Sequence, residues 1–268
     1  MKIALAGWSL NRRFRDKEHP FALLAFPRTV RQEFAIDAVE LNNVFFASTE
    51  DEYLGMLTTK AEQAEVRLIG LAVDGIGDLS HPDEAERENA MTEATPWLDV
   101  AAKLGLDWIR FNAGGQGNEE LPGALQSCIR SLQELCNYAQ RFGLKVLIEN
   151  HWGILSCPQR ILTVLHAVNA PNLGTLLDFG NFSSRVDHYE GIEKIAPFAG
   201  AVHVKTHQFN DQGEESRIDM ARCLKILRAA KFNGYLCIEY LGDGDDREGV
   251  LQTKTLIERH LPPNKKAH

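Results

Sequence analysis

Short apolar runs alternate with longer amphipathic stretches from one end of the chain to the other. The runs cover residues 3–8, 38–41, 67–73, 108–111, 145–149, 174–178, 201–204 and 235–240. Each is continuous or nearly so, which is the pattern of parallel strands buried on both faces. Between them lie helical patterns such as 84–104, 123–142, 158–168 and 217–230. Glycine follows several helices, in Leu104-Gly105-Leu106, Phe142-Gly143-Leu144 and Asn233-Gly234-Tyr235, where a left-handed C-cap would end the helix before a return strand. From Ile3 to Tyr235 the eight runs recur about every 33 residues, one βα unit per step.

Two architectures use uninterrupted βα alternation: the closed eight-stranded barrel and the open doubly wound sheet. The open sheet usually carries GxGxxG after its first strand, but here that strand runs into Ala6-Gly7-Trp8-Ser9-Leu10-Asn11. The glycines at 75–77 and 114–117 lack Walker spacing and read as flexible loops. No linker divides the chain. The prediction is an α/β protein made of a single (β/α)8 TIM barrel over residues 1–260, with a short C-terminal tail at 261–268.

Composition adds exclusions. With 44% hydrophobic and 25% charged residues, 268 in all, the chain is an ordinary globule of about one barrel's size. Its net charge of −8, from 37 acidic and 29 basic residues, argues against nucleic acid and anionic membrane surfaces as partners. Five scattered cysteines (128, 136, 157, 223 and 237) form no CxxC and read as reduced packing thiols. The opening apolar run is brief and precedes Asn11-Arg12-Arg13, the wrong order for a signal peptide, and no 18 consecutive residues are apolar. These features predict a cytoplasmic protein that acts on a small molecule; self-association stays open.

The strand ends carry the chemistry. Buried parallel strands should be apolar, yet these end in Glu40 and Asn42, Asp74, Arg110 and Asn112, Glu149 and His151, Asp178, His203 with Lys205 and His207, and Glu239. Residues two apart share a face, so polar groups from seven strands converge on one mouth if those faces point inward. In a barrel that is the C-terminal face, where active sites are built. The sharpest subset is Glu149, Asp178, His203 and Glu239, one from each of the last four strands. Three carboxylates and an imidazole brought together unpaired would repel, and a divalent cation resolves that conflict. The alternative is a buried ion network with Lys205 and Arg110 as counterions; four groups in register on successive strands favour the metal.

These residues resemble a known family. Ile148-Glu149-Asn150-His151, Leu177-Asp178-Phe179-Gly180-Asn181-Phe182, Val202-His203-Val204-Lys205 and Ile238-Glu239-Tyr240 look like motifs of the xylose isomerase-like TIM barrels, the sugar phosphate isomerase/epimerase superfamily. The resemblance runs from about Lys2 to Leu256, with the motifs in the same order. It implies one divalent ion (Mn, Mg, Co or Zn) on a Glu-Asp-His-Glu set, with Glu149 and Glu239 as the acid/base pair and Asp178 and His203 as ligands only. Two departures stand out. Asn181 replaces a histidine that holds substrate in many epimerases of the group, and Thr206 stands where the strand-seven motif often has an acid. Asp74 and Asn112 occupy places where DNA-repair relatives have further histidines, so that activity is not expected.

Other substrate contacts predicted at the mouth are His151 and Lys205, which share strand faces with Glu149 and His203, together with Asn112 and an aromatic face at Trp8. Arg217, at the start of a helix after the seventh strand, falls where relatives place substrate-binding arginines. The acidic turn Asp211–Glu215 reads as solvated loop. The predicted activity is metal-dependent isomerisation or epimerisation of a sugar or polyol, with proton transfer through a metal-stabilised enediolate. The same intermediate could instead expel a substituent, giving a lyase or dehydratase acting on a keto-sugar or cyclic polyol. A metal-free binding barrel is the third reading.

Overall fold

The computed structural model describes residues 1–115, 117, 121–182 and 186–261. Eight parallel strands close into a barrel in sequence order. They are β1 (Lys2–Ala6), β2 (Ala38–Asn42), β3 (Arg67–Val73), β4 (Trp108–Phe111), β5 (Lys145–Glu149), β6 (Leu173–Asp178), β7 (Ala199–Thr206) and β8 (Tyr235–Tyr240). Around them lie α1 (Asn11–Phe14), α2 (Phe26–Phe34), α3 (Asp51–Gln63), α4 (Glu84–Lys103), α5 (Ala124–Gln140), α6 (Pro158–Val168), α7 (His188–Ile195), α8 (Met220–Ala229) and α9 (Asp246–His260). Apart from Leu261, the expected tail at 261–268 lies outside the described residues. Among the described residues, no helix is long and apolar enough to cross a membrane.

Several boundaries differ from the sequence reading, each for a local reason. β1 stops at Ala6 because Gly7–Leu10 winds into a 3-10 turn, so Trp8 lies in a loop. β7 runs on to Thr206, which keeps Lys205 inside the sheet. α8 begins at Met220, where the Asp219 side chain caps the Arg222 N–H, and Arg217 therefore lies in the preceding loop and not at a helix start. Gly105 and Gly143 adopt the expected left-handed conformation, but before β8 that turn falls to Lys231, at φ 58°. Gly234 serves packing instead: a Cβ there would stand 2.7 Å from the Phe232 ring.

The interior of the barrel fills by unequal sharing. Ala4, Ala6, Ala38 and Ala201 contribute small side chains from three strands, with Ile69, Leu147, Leu176 and Cys237 beside them, and Trp108 supplies the bulk. Gly70 lies abreast of Trp108 across the β3–β4 pairing, and an added Cβ would come within 2.2 Å of the indole. The two residues make one packing unit, with no room for a second side chain.

The seam between β1 and β8 is fastened above the sheet as well as through it. Four register pairs join the strands, from Lys2↔Tyr235 to Leu5↔Ile238. The buried Ser9 hydroxyl donates to the Ile238 carbonyl at 2.9 Å and accepts from the Tyr240 N–H at 3.0 Å. Arg13 reaches Asp246 on α9 at 2.6 Å and Glu33 on α2 at 3.0 Å. Arg12 donates to the carbonyls of Asp243 and Gly244. The segment Asp243–Asp246, at the start of α9, thus ties the first and last βα units of the barrel together.

Two glycine substitutions should move stability in opposite directions. Gly70→Ala overpacks the core and is expected to cost about 1–3 kcal/mol. Gly55→Ala, inside α3 with no heavy atom within 4 Å of the new Cβ, should gain about 0.5–1 kcal/mol from helix propensity. Urea unfolding of both variants beside the parent protein checks the signs.

Candidate active site at the barrel mouth

The sheet brings five interior acids to its C-terminal end: Glu40 on β2, Asp74 just past β3, Glu149 on β5, Asp178 on β6 and Glu239 on β8. The pairings Asp178↔His203 and Lys205↔Glu239 set the last three strands so that these groups face one another. His203 is the hub. Its Nε2 lies 2.9 and 3.0 Å from the two oxygens of Glu40, a fully buried carboxylate. Its Nδ1 faces Glu149 Oε1 at 3.5 Å, Asp178 Oδ2 at 3.7 Å and Glu239 Oε1 at 3.7 Å.

Two cations and an amide hold the acids apart. Arg110 places Nε 3.1 Å from Glu149 Oε2 and Nη1 2.7 Å from Asp74 Oδ1. Lys205 Nζ stands 3.0 Å from both Asp178 Oδ2 and Glu239 Oε2. Its stem passes where a Cβ on Gly180 would be 2.8 Å away, which explains the glycine in the Asp178-Phe179-Gly180-Asn181 segment. Asn181 bridges the two sides: Nδ2 donates to Glu149 Oε1 at 2.8 Å, and Oδ1 accepts from Lys205 at 2.6 Å.

These contacts separate the titrations of the acids. Burial alone would raise every carboxyl. For Glu149 it is outweighed first by Arg110 and then by His203, which hold its carboxyl well below the usual range. Asp178 is likewise lowered against burial, chiefly by Lys205. Glu239 moves the other way: burial, together with the like charges of Asp178 and Glu149, outweighs Lys205 and His203 and raises it. His203, despite burial, is raised well above the ordinary imidazole value by Glu40 and Glu239.

The sequence-predicted residues do not all meet. Glu149, Asp178, His203, Glu239, Lys205 and Asn181 form one cluster. Asn112 is one step out, donating to Asp74 Oδ1 at 2.9 Å. His151 packs edge-on against Trp152, with a buried Nδ1 that has no hydrogen-bond partner. Trp8 lies against Phe45, under the Arg15 guanidinium. Arg217 is exposed on the β7–α8 loop. Glu215, expected in a solvated turn, is buried instead, and its carboxylate accepts from the backbone N–H groups of His207, Arg217 and Ile218. Glu40 is the residue the sequence reading leaves out of the ligand set. The available signal is an acid inside an apolar strand, on the same inward face as Asn42.

The donor set fits a divalent cation. Glu149, Asp178 and His203 offer ligand atoms all within 4.8 Å of one another, with Glu239 outside that tightest group. His203 Nδ1 is buried without a hydrogen-bond partner, while Asp178 Oδ2 and Glu239 Oε2 are met by the Lys205 ammonium at 3.0 Å. With Nε2–H given to Glu40, a neutral imidazole turns a lone pair towards carboxylate oxygens, an arrangement that needs a cation or a proton between them.

A barrel closed by eight parallel strands, with acids, an imidazole and two cations at its C-terminal mouth, defines a class of enzyme-like α/β barrels. The profile of the family described as xylose isomerase-like TIM barrel matches residues 31–260, and the chain belongs to that family. In sequence, it is 25% identical over 148 residues to the uncharacterized protein MJ1311 of Methanocaldococcus jannaschii, and the match spans about half of each protein, 51% of this chain and 49% of that one. Solved structures of similar fold include an L-ribulose 3-epimerase (TM-score 0.81, 15% identity, 97% of this chain and 95% of that one). Others are the 3-keto-D-glucoside 4-epimerase YcjR of E. coli (0.77, 16%, 97% and 99%) and the D-psicose 3-epimerase of Clostridium cellulolyticum H10 (0.75, 15%, 97% and 99%).

Removing Lys205 should expose the electrostatic strain. In metal-free protein, Lys205→Met leaves Asp178 and Glu239 facing each other uncompensated, and unfolding should become about 3–5 kcal/mol easier. The acid limb follows from the lowered carboxyls of Glu149 and Asp178. Their contribution is present above the ordinary carboxylate range and is lost as pH falls through their folded-state values, so the urea midpoint should drop from about pH 5 downwards. Arg110→Met should flatten that slope; an unchanged slope would mean that Arg110 does not hold Glu149 ionised.

Proposed function

We propose that this protein is a metal-dependent isomerase or epimerase of a small sugar or polyol, working by proton transfer through an enediolate. One observation carries the reading: His203, held by Glu40 at Nε2, turns Nδ1 towards Glu149 Oε1, Asp178 Oδ2 and Glu239 Oε1 at 3.5–3.7 Å, so that one nitrogen and three carboxylate oxygens converge. Family membership and the sugar-epimerase neighbours support it.

Glu149, Asp178, His203 and Glu239 would hold one Mn, Mg, Co or Zn ion. When bound, the ion supplies Lewis-acid polarisation of a carbonyl and charge stabilisation at the anionic stage. Glu239 takes the proton from carbon, the role the family resemblance implies for the glutamates of this set. Glu149, pinned by Arg110 and Asn181, is the opposing acid/base group. Asn181 acts through its two neighbours, orienting Glu149 and Lys205. Lys205 and His151 take substrate oxygens, His151 through its unpartnered Nδ1. Trp8 offers a ring face, Asn112 an amide beside Asp74, and Arg217 a guanidinium from its loop.

Metal analysis and isotope exchange test the proposal together. Protein purified without chelator should carry about one divalent ion per chain, and Asp178→Ala should carry much less. Wild-type protein should incorporate solvent deuterium into a ketose from a sugar panel, and Glu239→Gln should lose that exchange by orders of magnitude. Less than about 0.2 ion per chain, without recovery on adding Mn2+ or Zn2+, would overturn the metal. Loss of water or of a sugar fragment in the product mass would move the reaction to the lyase class.

A further inference from the structure

We infer that Glu40 is the positioning residue of this centre: it fixes the His203 ring so that Nδ1 is presented to the ion-binding carboxylates while Nε2 keeps its proton. The inference rests on the functional reading above for the ion, and on geometry for the ring. Glu40 is 0% exposed. It contacts the ring at Nε2, whereas Glu149, Asp178 and Glu239 face Nδ1. Both its oxygens are within 3.0 Å of Nε2, and among the described residues His203 is its ion-pair partner.

The register of β2 on β3 shifts at Glu40, where Val39 pairs with Leu68 and Glu40 with Gly70, so that Ile69 is the extra residue on β3. Neutral imidazole has one donor and one acceptor nitrogen. A carboxylate that takes the Nε2 proton therefore decides that Nδ1 carries the lone pair, and it also stops the ring from flipping. Without Glu40, either nitrogen could face the mouth, and the ring would be free to turn away from the three acids. Such outer partners of a ligating histidine typically govern metal affinity by 10- to 100-fold.

Two variants separate positioning from charge. Glu40→Gln keeps an oxygen acceptor for Nε2–H and removes the charge; Glu40→Leu removes both. Histidine-labelled protein examined by 15N–1H NMR should show a slowly exchanging Nε2-bound proton on His203 in the metal-free wild type and in Glu40→Gln, and none in Glu40→Leu. Calorimetry with Mn2+ should show affinity within about 10-fold of wild type for Glu40→Gln, and about 10- to 100-fold weaker for Glu40→Leu. In the Co2+-loaded protein the visible spectrum should be preserved by Gln and altered by Leu. A folded Glu40→Leu protein with wild-type affinity and an unchanged Co2+ spectrum would overturn the inference. So would Glu40→Gln that loses the Nε2 proton, a readout that decides the matter even if the leucine variant does not fold. Wild-type protein that takes up none of Mn2+, Mg2+, Co2+ or Zn2+ would sink the functional proposal alone, because the metal-free Nε2 proton still decides what Glu40 does to the ring.

Discussion

Charge balance inside a closed barrel is the constraint on which this structure turns. Glu40, Asp74, Glu149, Asp178 and Glu239 all point towards one small volume, and burying a carboxylate without a partner costs several kcal/mol. Against these five acids stand two permanent cations, Arg110 and Lys205, leaving three formal negative charges when His203 is neutral. Each cation straddles two acids and so separates them. The length of β7 and the missing side chain at Gly180 both serve that arrangement. With His203 neutral, that excess negative charge would favour a cation at the mouth.

Much of this was legible in the residues. The eight apolar runs mark the strands to within one or two positions at most ends, because strands buried on both faces have little freedom in composition. Glu149, Asp178, His203 and Glu239 stand out as charges in such runs, spaced by single βα units. What the pattern cannot convey is who pairs with whom. Nothing in Val39-Glu40-Leu41 says that this acid points at a histidine 163 positions away. Nothing in Gly213-Glu214-Glu215 says that the second glutamate is buried to gather backbone N–H groups, while its neighbour pairs with Arg259 at the surface. Three-dimensional closure decides such pairings. The loop ends are equally opaque, since one cap, Asp219, moves the start of α8 past Arg217.

Asn181 shows how a departure from the family pattern can be coherent. An amide has one donor end and one acceptor end. Facing a carboxylate on one side and an ammonium on the other, it fits in one orientation alone, with Nδ2 towards Glu149 and Oδ1 towards Lys205. Aspartate there would repel Glu149. Histidine could make both contacts only with a nitrogen as acceptor and its ring in one tautomer. The neutral amide joins the two halves of the site without adding to the charge imbalance.

The fastening of β1 to β8 also dictates when the protein becomes a protein. Of the eight strands β1 is made first, yet β8, which pairs with one of its sides, and the loop that anchors Arg12 and Arg13 lie more than two hundred residues later. Until the ribosome has released them, the β8-facing side of β1 remains an open parallel edge, its hydrogen-bonding groups free to pair with another nascent chain. The same late segment carries Glu239. Closure of the barrel and completion of the site are therefore a single event that waits for β8, and a chain cut short before that strand has neither.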